Sequence, residues 1–259
     1  MGRGHSDLQV WQRPPVRMDF MDIFNAGAGA DQDSILEVRV VLIDSEPEIW
    51  RLFQLRSSLA LNQVHQVLQT AFGWEDAHLH RFVASDPFAP LRPVDGEFPE
   101  VLQRLPGQEC EEPADRHEED CSLDQLLARG SAEVFYEYDF GDSWLHRLEL
   151  VSRRPADEDS PLARLIDGAR RGPLEDSGGF PGYEEIMDTL ADPTHADHAE
   201  HSAWVADITG SDAPFDPAFL DIPTVNRTLA EQFRRTRSGK NAVSDGQKQP
   251  LFGALPRQF

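Results

Sequence analysis

The chain has 259 residues, 39% of them hydrophobic, and a formal charge of −22 from 46 acidic and 24 basic side chains. That length suits one large domain, since domains centre on roughly 100–150 residues and can exceed 200. A field of this sign repels phosphate backbones, so a protein partner is expected rather than nucleic acid. Two cysteines (Cys110 and Cys121), no apolar leader and no run near the roughly 18 apolar residues of a membrane span give a cytoplasmic expectation, with no membrane partner.

Residues 1–33 are polar and lack sustained periodicity, which predicts a flexible N-terminal arm with one docking turn at Met18 to Phe24. Ile35 to Ile43 alternates and predicts a strand, with Leu36, Val38, Val40 and Leu42 on its apolar face. Ile49 to Leu55 follows as a second strand. Leu59 to Phe72 carries apolar residues at spacings of three and four, which predicts a helix closed by Gly73. His78 to Ala84 reads as a short strand on which His78 and His80 share a face.

An acidic insertion over 85–120 is expected to hold one short helix near Glu100 to Leu105. A helix over Ser122 to Ala128 has Ser122 as its cap. Glu133 to Val151 reads as a hairpin with Gly141-Asp142 as a two-residue turn, opposing Asp139 to Trp144, Glu137 to His146 and Phe135 to Leu148. Residues 152–181 read as irregular. Helices are expected over Tyr183 to Leu190, Ala196 to Ile208 and Pro223 to Phe233, and a polar C-terminal tail over 234–259. The class is α+β: one core domain, 34–233, with a mixed or largely antiparallel sheet packed by helices.

Several motifs stand in a characteristic order. They are Ile49-Trp50-Arg51, Ala71-Phe72-Gly73-Trp74-Glu75-Asp76 with His78-Leu79-His80, and Tyr138-Asp139-Phe140-Gly141-Asp142-Ser143-Trp144 with His146. Then come Glu175-Asp176, Gly178-Gly179, Pro181-Gly182-Tyr183, Asp192-Pro193 with His195 and His198, and Phe215-Asp216-Pro217 with Val225-Asn226. In this order they resemble the Ri-plasmid ORF-3-like family, often labelled TnpR-like or insertion-element passenger protein, over about residues 34–233. The resemblance implies the α+β domain and an association with mobile elements, with no activity attached. Related sequences carry two cysteines before the glycine pair. Here that segment is Gly172-Pro173-Leu174-Glu175-Asp176-Ser177, which removes any thiolate or disulfide role there.

The residues that can carry chemistry form a candidate polar pocket of Trp74, His78, His80, Asp139, Asp142, Trp144, His146, Glu175 and Asp176. Carboxylates and imidazoles of this kind bind a hard or borderline divalent metal ion or serve acid–base work. The metal expectation falls on Asp142, His146, His195 and His198, the last two belonging to a helix with histidines every third residue. Structural readings stand beside each: Asp142 as a turn residue, His146 as a cross-strand partner, and His195 and His198 as a polar helix start. Cys110, His117 and Cys121 form a weaker zinc alternative that lacks a fourth ligand. No phosphate loop, nucleophile elbow or HExxH occurs. The chain reads first as an accessory or binding module, with a metal-dependent enzyme of hydrolytic type as the alternative and a DNA-binding protein as the second.

Overall fold

The computed structural model describes residues 33–90, 103–106, 116–129 and 132–242, with side chains as far as Arg234. Strand β1, Ser34–Leu42, forms as its alternation predicts: Leu36, Val38 and Val40 are fully buried, while Glu37 and Arg39 on the other face keep contact with water. It pairs antiparallel with β2, Trp50–Arg56, and with β7, Trp144–Pro155. Strands β3 (His80–Val83), β4 (Gln103–Leu105), β5 (Arg116–His117), β6 (Glu133–Tyr138) and β8 (Ala163–Ala169) complete one sheet of order β5-β4-β3-β6-β7-β1-β2-β8. Every neighbouring pair is antiparallel except β4 and β5.

Helix α1, Leu61–Phe72, lays Leu61, Val64, Val67, Leu68, Ala71 and Phe72 on the apolar face of β1 and β2. Each of these side chains larger than Ala71 contributes about 1.5–3 kcal/mol of transfer free energy when fully buried. Gly73 ends the helix in the left-handed conformation, φ 84°, as its position predicts. Helix α2, Leu123–Leu127, has the expected cap: Ser122 Oγ accepts from Gln125 N and Gln125 Oε1 from Ser122 N. Helices α3 (Gly179–Ala191), α4 (His198–Thr209) and α5 (Ile222–Ala242) follow β8. No helix among the described residues is long and apolar enough to cross a membrane.

Six expectations are corrected. Residues 163–169 form β8 rather than irregular chain, because they pair with β2 and because Asn226 of α5 bonds both Leu165 N and Leu165 O at 2.8 Å. Gln103–Leu105 is a strand on β3, not part of a helix. The sequence beyond Phe233 continues α5 to Ala242 before the described residues end. The hairpin register is shifted by one: Tyr138 opposes Trp144, Tyr136 opposes His146 and Glu137 opposes Leu145. Its connection is five residues, not two, because Asp139 and Ser143 both take left-handed backbone, φ 55° and 57°. Finally, β3 starts at His80, so His78 lies in the loop before it. The docking turn at Met18 to Phe24, most of the acidic insertion and Cys110 lie outside the described residues.

Candidate functional site

The register shift decides which polar groups meet. It turns Tyr136, Tyr138, Trp144 and His146 toward the core and leaves Asp139 in the loop just past β6. Asp139 is 8% exposed, and its Oδ1 accepts from Gly141 N at 2.9 Å and Asp142 N at 3.3 Å. This local turn anchors one carboxylate oxygen and leaves Oδ2 to face outward from it.

Across from Oδ2 stands His78. Its Nε2 lies 3.7 Å from Asp139 Oδ2, 3.6 Å from Glu175 Oε1 and 3.0 Å from Asp176 Oδ1. The nearest of these is within hydrogen-bond range but misaligned, so Nε2 is closed off from solvent with no aligned partner. Ligand atoms of His78, Asp139 and Asp176 all fall within 4.8 Å of one another.

Glu175 is fixed from two sides. Oε1 accepts a short hydrogen bond from the Tyr138 hydroxyl, and Oε2 accepts from Glu75 N at 3.4 Å. Burial pushes the Glu175 carboxyl above its usual range, and burial followed by the neighbouring Glu175 pushes the Tyr138 phenol up as well. The loop that carries Glu175 and Asp176 is tied to the hairpin tip by Gly178 N donating to Asp142 Oδ2 at 3.0 Å. Gly179, at φ 68°, passes so near that a Cβ there would sit 3.1 Å from Asp142 O. Leu79 and Phe140, 47% and 44% exposed, are apolar residues adjoining His78 and Asp139 in the chain.

Such a set, one imidazole nitrogen and carboxylate oxygens from separate segments, is the donor chemistry of a borderline divalent ion. It can also hold a proton on Glu175 beside the cluster.

A family model for the plasmid pRiA4b ORF-3-like proteins matches residues 34–224. The chain belongs to this family. An uncharacterised protein of Sinorhizobium fredii, y4hQ, is 30% identical over 198 residues, covering 76% of this chain and 91% of that protein. The crystal structure of a protein of unknown function from Methanosarcina mazei, MM3350, superposes with a TM-score of 0.61 at 25% identity, covering 75% of this chain and 98% of that one. The first relative shares the sequence and the second the fold.

In this pRiA4b ORF-3-like chain the other predicted residues go elsewhere. His80 belongs to a second, buried group: its Nε2 is 2.8 Å from Glu118 Oε2, and its ring stacks on His65 at 3.6 Å. His65 in turn lies between Tyr136 Oη at 2.8 Å and Asp76 Oδ1 at 2.7 Å. Trp74 is a core wall, stacked on Phe72 and Tyr138, with its indole N–H on Pro173 O. Trp144 is buried against Phe180.

His146 is fully buried at the edges of Phe72 and Trp74, and burial pulls its imidazole down to about 3. His195 sits in a turn beside Asp197, and His198 in α4 lies 3.5 Å from Ser202 Oγ. Asp142, His146, His195 and His198 therefore form no shared ligand set among the described residues. Cys121 is buried and its thiol raised by burial. Sequence reasoning missed Tyr138 as the partner of Glu175, although its place beside Asp139 at the end of a strand was visible.

Proposed function

We propose that this protein is a binding module holding one divalent cation between His78, Asp139 and Asp176, with Glu175 oriented by Tyr138 as a fourth donor. The observation that carries this reading is His78 Nε2: it is closed off from solvent, faces three carboxylates, and has an aligned bond to none of them. A buried polar atom left this way points to a ligand where donor atoms of other residues converge on it, as those of Asp139 and Asp176 do here. The mixed nitrogen and oxygen set favours Mn²⁺, Fe²⁺ or Zn²⁺ over Ca²⁺.

The test is calorimetric titration of the metal-stripped full chain with MnCl₂ and ZnCl₂. One equivalent should bind, and Asp139→Asn, which keeps an oxygen to accept from Gly141 N, should weaken binding by at least about tenfold. Saturation by neither ion at millimolar concentration, or equal binding by the variant, rejects the reading.

A hydrolytic reading is favoured by one feature, the raised Glu175 carboxyl beside the cluster, which can hold a proton at higher pH than an ordinary glutamate. Loss of a metal-dependent hydrolysis in Glu175→Gln with cation binding retained would select it over simple binding. A protein partner is supported by the net charge of −22. An association with mobile elements, as the TnpR-like label implies, is supported by the plasmid in the family's description.

A further inference from the structure

We infer that a second site, which shares only the Glu175 wall with the cation cluster, binds a small organic oxyanion between Arg51 and Arg171. Arg51 projects from β2 onto the core face and is 1% exposed. Its Nε donates to Ala71 O at 2.9 Å, and Nη1 donates to Trp50 O at 2.8 Å and Ala169 O at 3.0 Å. These are neutral carbonyls, one of them in the last turn of α1. Among the described residues no carboxylate lies within 4.0 Å of Arg51, and Nη2 has no acceptor. A buried guanidinium without a counter-ion is the feature that asks for an anion. Burial alone pulls its pKa down to about 10.

Arg171 is the second cation. Its guanidinium stands 5.1 Å from the Phe215 ring and 4.9 Å from Phe219. It also lacks a carboxylate partner among the described residues, and its Nε is buried without an acceptor. Both arginines line one cavity of about 340 Å³ whose apolar walls include Phe72, Leu174 and Val225. The acids on that wall are exposed or committed elsewhere: Glu75 is exposed, Glu175 accepts from Tyr138, and Asp221 accepts from Thr224 N and Oγ1.

The backbone leaves no slack around Arg51. A Cβ on Gly168 would lie 2.7 Å from Trp50 O and 3.2 Å from Arg51 Cδ, and one on Gly172 would lie 2.4 Å from Phe72 O. One guanidinium held by three carbonyls and a second stacked on aromatic rings suit a carboxylate or phosphate on a compact apolar body. The cavity is within the range of small-molecule pockets.

The experiment uses the full chain, stripped of metal ions on a chelating resin and kept free of soluble chelator, at near-physiological salt, titrated calorimetrically with benzoate, phenyl phosphate and the neutral benzyl alcohol. One of the two anions should bind once per chain with a sub-millimolar constant, and the winner assigns the group as carboxylate or phosphate. Arg171→Gln should weaken that binding by at least about tenfold. This variant is decisive because Arg51 also holds the end of α1, whereas Arg171 keeps only its aromatic neighbours; its melting curve checks the fold. No saturation by either anion at ten millimolar, equal binding of benzyl alcohol, or wild-type affinity in Arg171→Gln overturns the inference. Because metal ions are removed beforehand, failure here leaves the cation reading standing, and the reverse also holds.

Discussion

His78 and His80 are two residues apart and meet opposite fates. His80 is in a strand, has one dedicated carboxylate in Glu118, and shares its face with the stacked ring of His65. His78 is in a loop, faces three carboxylates, and is aligned with none. Both are histidine–carboxylate groups, yet the first is a completed network and the second is an incomplete one. Residue type does not distinguish these two groups; the satisfaction of their hydrogen bonds does. A completed buried network contributes to stability, whereas an unsatisfied convergent one is disposed to accept a ligand.

The comparison is tested hardest at Glu118. Glu118→Ala leaves the His80 N–H buried without its acceptor and should cost about 2–4 kcal/mol in urea unfolding. A cost below 0.5 kcal/mol would mean that the two groups are not distinct in kind.

His146 extends the comparison to a histidine with no carboxylate at all. Its folded pKa, about 3, lies below the ordinary value of 6.5. The unfolded chain therefore takes up a proton first as pH falls. Stability is complete above about pH 6.5 and falls through the window down to about 3, by at most about 1.4 kcal/mol per pH unit. His146→Phe should flatten that slope in unfolding measured between pH 7 and 4. An unchanged slope would assign the acid sensitivity to other groups.

Smaller effects are expected at the open cluster. Asp142→Ala removes the acceptor for Gly178 N and should cost about 1 kcal/mol while weakening cation binding several-fold. His78→Ala should change stability by less than about 0.5 kcal/mol, measured by the same unfolding, and abolish tight cation binding. A large stability loss in His78→Ala would return it to the class of His80.

Much of this fold can be read from period and punctuation. The alternation of β1, the helical stripe of α1 with Gly73 behind it, and the cap at Ser122 are local signals that tertiary packing reinforces. The hairpin register cannot be read that way. It depends on left-handed backbone at Asp139 and Ser143, and neither residue demands that conformation. Strand β8 is hidden for a different reason: it is an edge strand with a Gly and a mixed pattern, recognised only by its pairing to β2 and by Asn226.

Asp139, Glu175, Asp176 and His78 stood out as types, but their convergence rests on the tie from Asp142 to Gly178, a link across 36 positions. Arg51 is legible from the sequence as an inward-facing charge. It shares strand parity with Phe53 and Leu55, and a charge at an inward position is a sign of a special environment.

Asn226 also bears on how copies of the chain treat one another. Strand β8 ends the sheet, and a free sheet edge invites another molecule to extend it. By offering both a carbonyl and an amide to Leu165, the Asn226 side chain stands in for the next strand at that point. One amide group on a helix thereby fills, at Leu165, the hydrogen-bonding positions that a further strand would need.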